Sequence, residues 1–174
     1  MGIPGSSDLA ADAARVYREG DFSNAARLFG EASAFFQSKG NDLDAAEMKN
    51  NQSVALLQAG DAMASYEAAR GTAQIFFAAG DFRRQGMAYG NEATALQTLG
   101  RMDAAVESYI LSAAALEKAG EDQMRASVLQ AVALIHLRRG KVMDALLSLQ
   151  VGLAGVKNPS LQQKILRGLL RLRV

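Results

Sequence analysis

The chain has 174 residues, a formal net charge of +1 at pH 7 and 49% hydrophobic residues, which are ordinary values for one soluble globular domain. It contains no cysteine, and this excludes disulfides, thiol nucleophiles and cysteine-ligated metals. The single histidine, His136, has no carboxylate three or four residues away to orient it, so the sequence favours a packed side chain over a catalytic one. The composition therefore predicts a protein that is not an enzyme and uses no metal or cofactor.

The N-terminus carries one short pattern. Residues Met1 to Ser6 fit the N-myristoylation pattern, and we interpret residues 1–6 instead as a flexible leader because the pattern is so short. No stretch approaches the roughly 18 uncharged apolar residues of a membrane span, and no charged start followed by an apolar run marks a signal peptide. These features predict a cytoplasmic protein.

Glycine spacing predicts the helices. The two prolines are Pro4 and Pro159, so only glycine interrupts helical sequence between them. A glycine stands at every twentieth position from Gly20 to Gly140, and each is followed by a polar residue. Glycine tolerates the left-handed conformation that ends a helix, and an Asp or Asn after it can cap the next helix. The pattern predicts four pairs of helices. The first members span about 8–19, 43–59, 82–99 and 122–139, and the second members about 23–39, 63–79, 103–119 and 142–156.

Side-chain size repeats every forty residues, because alternate helices differ. Large apolar residues recur at Val16, Leu56 and Leu96. Small residues recur where two helices must approach closely, and this pattern predicts a solenoid of helical hairpins over residues 7–157. The small positions form three sets: Ala13, Ser53, Ala93 and Ala133; Ala25, Ser65, Ala105 and Ala145; and Ala32, Thr72, Ser112 and Gly152.

A last helix closes the pattern. Asn158 and Pro159 interrupt the repeat, and Ser160 with Gln163 forms a capping box. We predict a helix over about 160–173 within a C-terminal capping segment, residues 158–174, that covers the last hairpin. Its apolar side consists of Leu161, Ile165, Leu166, Leu169 and Leu172.

The repeat resembles the tetratricopeptide (TPR) family over about residues 7–156. Two hairpins carry the likeness: Gly20-Asp21-Phe22 with Ala25, Phe29 and Ala32, and Gly100-Arg101-Met102 with Ala105, Tyr109 and Ser112. The forty-residue spacing exceeds the usual 34 and is similar to a longer-helix subgroup of adaptor and regulator proteins. HEAT and armadillo repeats have about this length but lack glycine at both turns. The resemblance implies an all-α, right-handed α-solenoid of about four hairpins plus the capping helix.

The resemblance also implies a concave groove lined by the first helix of each pair. Asn51 and Asn91 are forty residues apart and are expected at the same height, where TPR asparagines hold a bound peptide. The alternative to a binding role is that Asn51 and Asn91 are solvated or form hydrogen bonds within the solenoid. A clamp that binds two carboxylates needs lysine and asparagine on the first helix, where Ala10 and Ala14 stand instead. The sequence therefore disfavours that clamp. The implied groove residues are Tyr17, Arg18, Asn50, Asn51, Val54, Leu57, Gln58, Asn91, Thr94, Gln97, Thr98, Gln130, Leu134, Leu137 and Arg138.

Charge differs between the two ends of the chain. The first third is acidic, whereas residues 138–174 contain one acid, Asp144, among many bases. Lys164, Arg167 and Arg171 share one face of the last helix. We favour a solvated capping helix over a patch for nucleic acid or anionic lipid and over head-to-tail association of copies. No aromatic residue lies in this region to stack on bases, so nucleic acid is disfavoured.

The sequence therefore predicts a non-enzymatic interaction module, a TPR adaptor or scaffold that binds a peptide or partner helix in its groove. The alternative is a self-assembling structural subunit whose acidic N-terminal end stacks on the basic C-terminal end. The identity of the partner remains open.

Overall fold

A computed structural model describes residues 6–171, with side chains described from Leu9 to Leu170. The predicted leader and the myristoylation pattern fall mainly on residues 1–5, outside that range. Within it the chain is all-α. The helices are α1 (Ser6–Arg18), α2 (Phe22–Ser38), α3 (Asp42–Gln58), α4 (Ala62–Ala69), α5 (Thr72–Ala78), α6 (Phe82–Thr98), α7 (Met102–Lys118), α8 (Asp122–Arg138), α9 (Val142–Ala154) and α10 (Leu161–Arg171).

The helices stack as successive hairpins, because each packs mainly on its neighbours in the chain. The first helices of the pairs are α1, α3, α6 and α8. The second helices are α2, the broken helix α4–α5, α7 and α9. The predicted all-α helical-repeat solenoid is therefore confirmed. None of the described helices is both long and apolar enough to span a membrane.

The turns follow from the glycine spacing. All seven glycines from Gly20 to Gly140 have φ between 71° and 90°, the left-handed region that ends a helix at little cost only for glycine. The side chains of Asp21, Asn41, Asp61 and Asp81 then accept a backbone N–H at the start of the next helix. At these four turns one dipeptide provides both the tight turn and the helix cap, whereas Arg101, Glu121 and Lys141 make no side-chain cap bond.

The small positions lie in the core, as predicted. Ala13, Ala93, Ala25 and Ala105 have no exposed surface. In the second hairpin serine replaces alanine at two of these positions, and the Ser53 and Ser65 hydroxyls lie 3.0 Å apart and satisfy each other. The backbones can therefore approach closely at every hairpin.

One predicted helix, 63–79, is wrong as a single element. It breaks at Gly71, which has φ +84°, after Arg70 leaves the helical region with ψ 127°. A Cβ on Gly71 would meet no atom within 4 Å, so packing does not force the glycine there. Low helix propensity permits the break, and the Thr72 hydroxyl donates to the Ala69 carbonyl at 2.7 Å across it.

Ion pairs join hairpins that lie about forty residues apart. Arg84 on α6 donates to Glu47 on α3 at 2.7 Å and to its own helix cap, Asp81, also at 2.7 Å. The Arg84 backbone N–H is the largest cause that lowers the pKa of Asp81, the Arg84 guanidinium adds to the shift, and burial opposes it. Arg83 likewise contacts Glu121 at 2.7 Å. The polar links hold neighbouring hairpins in register.

The C-terminal helix begins as predicted, but it covers less of the last hairpin than predicted. Gln163 accepts from the Ser160 N–H at 2.8 Å, and the Ser160 hydroxyl accepts from the Gln163 N–H at 3.3 Å, so the capping box is confirmed. Leu161, Ile165 and Leu169 nevertheless stay 74%, 57% and 59% exposed. Their apolar side does not pack on the last hairpin, because α10 turns it away from α9. Leu172 lies outside the described residues.

Candidate functional site

A groove between the first helices α6 and α8 is the main candidate site, and we call it the α6–α8 groove. It holds a cavity of about 360 Å³ whose floor is formed by α7. Its walls are mostly apolar, with hydroxyl and amide groups at a few points, a composition typical of sites that bind another molecule. Its lining comprises Gly86, Met87, Gly90, Asn91, Thr94, Tyr109, Ser112, Leu116, Met124, Ser127, Val128 and Ala131.

Two glycines shape this groove in different ways. A Cβ on Gly86 would lie 2.6 Å from Leu116 Cγ, so this glycine is needed for α6 and α7 to pack closely. Its carbonyl also accepts from the Ser112 hydroxyl at 2.6 Å. A Cβ on Gly90 would meet only Ser112 Oγ, at 3.4 Å, which is ordinary contact. Gly90 therefore leaves space in the groove that the packing does not require.

A hydroxyl network forms part of the floor. Tyr109 Oη donates to Gln97 Oε1 at 2.9 Å and lies 3.1 Å from Thr94 Oγ1. The Thr94 hydroxyl also donates to the Gly90 carbonyl at 2.8 Å. Burial raises the pKa of Tyr109, and the bond from Thr94 opposes the shift. Tyr109 therefore stays a neutral hydroxyl and fixes the two predicted groove residues, Thr94 and Gln97, from below.

The asparagines pair differently from the prediction. Asn91 Nδ2 on α6 donates to Asn50 Oδ1 on α3 at 2.8 Å, so the partner of Asn91 on the neighbouring first helix is Asn50 and not Asn51. Asn50 is 6% exposed, whereas the groove mapping expected an exposed side chain. The reason is that Asn50 points into the space between α3 and α6, where its amide must be satisfied. Bonding within the solenoid thus applies to Asn91, which still lines the groove.

A second, smaller cavity lies near the N-terminal end. Tyr17, Phe29, Asn51 and Val54 enclose about 120 Å³, which brings three predicted groove residues together. Their role in binding stays a prediction. Of the other predicted residues, Leu57 is half-buried. The exposed ones are Arg18, Gln58, Thr98, Gln130, Leu134, Leu137 and Arg138.

The sequence reasoning missed the apolar walls of the groove. Met87 lies one helical turn before Asn91, and Met124 and Val128 face it from α8. The available signal was the i, i+4 spacing of Met87 and Asn91 on one helix face. Methionine adapts its shape to different occupants, which makes such walls suited to varied apolar side chains.

The predicted basic patch is only partly free. Arg167 is not a solvated cation, because its Nη2 donates to the carbonyls of Leu153 and Val156, the latter at 3.1 Å. Its guanidinium instead fixes α10 to the end of α9. Lys164 is exposed. The side chain of Arg171 lies outside the described residues. One patch residue of the three therefore has a structural contact.

Catalytic groups do not converge in the described part of the chain. His136 is half-buried, and its Nδ1 is buried without a hydrogen-bond partner there. Across residues 6–171, no three histidine, aspartate or glutamate side chains lie close enough to hold a metal ion. The lining of the α6–α8 groove contains hydroxyl, amide and thioether groups and no histidine, aspartate or glutamate.

Fold and groove together define a helical-repeat solenoid with a lateral cavity. No protein-family model and no curated protein matches the sequence. A solved structure does share the fold: BtubC (BKLC) from P. vanneervenii matches with a TM-score of 0.74 and 19% sequence identity. The match covers 95% of this chain and 71% of that one. At this identity the likeness concerns the fold alone.

Proposed function

We propose that this protein is a non-enzymatic interaction module of the TPR type that holds a peptide or helix of another protein in the α6–α8 groove. The observation that carries the proposal is the cavity of about 360 Å³ between two first helices, left open by Gly90. Solenoids bind through such surfaces because their stacked helices form a rigid frame. The TPR resemblance supports the same assignment.

The polar groups suit a main-chain ligand. One N–H of Asn91 Nδ2 goes to Asn50, so its second N–H and its carboxamide oxygen are left to donate to and accept from a bound backbone. Thr94 and Tyr109 also face the groove, and because their protons go to the Gly90 carbonyl and to Gln97 Oε1, their hydroxyl oxygens are left to accept from a ligand. These few fixed groups would orient a ligand, while the apolar walls supply most of the binding energy.

The apolar walls suit one large aliphatic or aromatic side chain of the partner. Met87, Met124 and Val128 contribute flexible or branched apolar surface around the cavity. Burying such an anchor contributes about 1.5–3 kcal/mol, and interface energy usually concentrates in a few such residues. The partner is therefore expected to present an exposed apolar anchor on a helix or extended segment.

Filling the groove is expected to abolish partner capture. Gly90→Leu places a side chain in the cavity and improves helix propensity, so the fold should remain. Ala114→Leu adds the same bulk at an exposed position of α7 outside the groove. Wild type and Ala114→Leu should retain one partner from native lysate, and Gly90→Leu should retain at least about tenfold less, equivalent to about 1.4 kcal/mol. Thermal unfolding and mass spectrometry check fold and identity.

Two outcomes would contradict binding in the α6–α8 groove. A folded Gly90→Leu variant that retains the same partner as the wild type would place binding elsewhere on the solenoid. Loss of the partner in both variants would indicate a general effect of added apolar bulk, and it would equally contradict groove binding.

Self-assembly is the second candidate, and exposed apolar residues at the C-terminal end favour it. Leu161 and Ile165 are both more than half exposed there. Lys141, Lys157 and Lys164 are also exposed at this end, opposite in sign to the acidic N-terminal third. A molar mass that rises with protein concentration in light scattering, and falls with added salt, distinguishes this candidate from groove binding.

A further inference from the structure

Helix α10 occupies the place of a first helix in a fifth hairpin. Gln163 Nε2 donates to Gln123 Oε1 at 3.1 Å, and these two residues are forty apart, the repeat of the solenoid. Gln123 also donates to the Asn158 carbonyl at 3.0 Å. Arg167 binds the carbonyls at the end of α9. The described residues therefore contain a fifth first helix without a second helix to pair with it.

The repeat shows which face of α10 lacks its partner. In α8, Arg125 and Leu129 face the second helix of their own hairpin. Arg125 Nη1 donates to the Val151 carbonyl at 3.1 Å, and Leu129 Cβ lies 3.1 Å from the position of a Cβ on Gly152. The residues forty positions later are Ile165 and Leu169, both more than half exposed.

We call the stripe of Leu161, Ile165 and Leu169 the hairpin face of α10. The three residues follow one another at four-residue spacing, so they lie along one side of the helix. The positions forty residues before Ile165 and Leu169, on α8, face a helix, α9. A helix therefore fits this surface better than an extended peptide or a flat membrane.

The charge around the hairpin face indicates an acidic occupant. No aspartate or glutamate occurs from Lys157 to Val174, and Lys157 and Lys164 are exposed there. Two copies of α10 placed against each other would bring these bases together, which disfavours a symmetric dimer. From Leu9 to Arg18, where side chains are described, the exposed side of α1 is mostly polar, and Arg15 there pairs with Asp12 at 3.2 Å and Glu19 at 3.0 Å.

We propose that α10 docks an amphipathic, acidic helix of another protein, which sits as the second helix of the fifth hairpin. The docked helix needs small residues where it crosses Ile165 and Leu169, because Gly152 fills that role opposite Leu129. It carries acidic residues at its edges, near Lys157 and Lys164. This surface is separate from the α6–α8 groove and would take a different ligand.

A peptide with the sequence of α7, Met102–Lys118, is a suitable probe. It is an acidic second helix of this same solenoid, with Asp103, Glu107 and Glu117 against one lysine, and it has small residues at Ala105 and Ser112. Fluorescence anisotropy of the labelled peptide should show saturable binding to the full chain. A peptide with Ala105→Leu and Ser112→Leu should bind at least about tenfold more weakly, because the helices can no longer approach closely.

Matched variants place the site on the protein. Ile165→Gln with Leu169→Gln should weaken binding of the α7 peptide at least about tenfold. Leu111→Gln, an exposed leucine of α7 outside this face, should leave binding unchanged. Thermal unfolding should be similar in all three proteins, because the substituted residues are exposed. Binding should also weaken with salt, since the lysines attract the acidic peptide.

Three results would overturn the proposal. One is that the α7 peptide binds the Ile165→Gln, Leu169→Gln variant as tightly as the wild type, or that it does not bind the wild type at millimolar concentration. A second is wild-type binding to phosphatidylserine vesicles that requires Ile165 and Leu169 while the peptide does not compete. A third is self-association of the wild type that the double variant loses, because a second copy would then occupy the face.

Discussion

Phe76→Ala is expected to lower the free energy of unfolding by about 3–5 kcal/mol. Phe76 has no exposed surface and packs with Ala46, Ala73 and Ala88 in a cluster that joins three helices. The Arg84 guanidinium also lies 5.2 Å from the centre of its ring. Phe76 fixes the short helix α5 after the break at Gly71, so its loss leaves a cavity that small neighbours cannot fill.

The adjacent residue provides a matched control. Phe77 is 56% exposed and contacts Phe82 at a centroid distance of 6.4 Å. Phe77→Ala should therefore cost about 1 kcal/mol or less. Chemical denaturation of both variants measures the difference. Similar losses for the two substitutions would contradict the placement of α5, because a continuous helix over 63–79 would orient these rings differently.

Gly86→Ala should destabilise the fold by about 1–3 kcal/mol, although alanine is the better helix former. The new Cβ would lie 2.6 Å from Leu116 Cγ and 3.2 Å from the Ser112 carbonyl oxygen. Leu116 is fully buried and cannot move away freely, and the second contact is with backbone. Thermal unfolding should show the loss of stability, which results from weaker packing of α6 on α7.

Gly90→Ala tests the same helix one turn later and should have the opposite sign. Its Cβ would make only ordinary contact with Ser112 Oγ at 3.4 Å. The gain in helix propensity should then stabilise the protein by up to about 1 kcal/mol. Equal destabilisation by both substitutions would show that α6 and α7 approach more closely at Gly90 than described, and the groove would be smaller.

Much of the fold could be predicted because local chemistry repeats. The seven evenly spaced glycines determine the turns, and Asp21, Asn41, Asp61 and Asp81 cap the helices that follow. The break at Gly71 could not be predicted this way. A single glycine within a helical pattern is usually tolerated, so the sequence favoured a continuous helix here.

The site was less predictable, because side-chain partners depend on how helices rotate against each other. Two of the groove residues that the TPR resemblance implied, Asn91 and Thr94, line the α6–α8 groove, and their role in binding stays a prediction. The forty-residue spacing did not reveal that Asn91 would bond to Asn50 rather than lie beside Asn51, since adjacent residues on a helix differ by a rotation of about 100°. The sequence likewise predicted Arg167 as a solvated cation, but its guanidinium donates to a carbonyl just after the end of α9.

Site-specific crosslinking tests the central claim most directly. A photoreactive residue at Val128, on the wall of the α6–α8 groove, is compared with one at Leu111, which is 49% exposed on α7 outside the groove. The account expects the partner captured from native lysate to crosslink at Val128, to be absent at Leu111, and to disappear from Val128 when Gly90→Leu is added. Crosslinks of that partner at Leu111 alone, or at Val128 despite the filled groove, would contradict it.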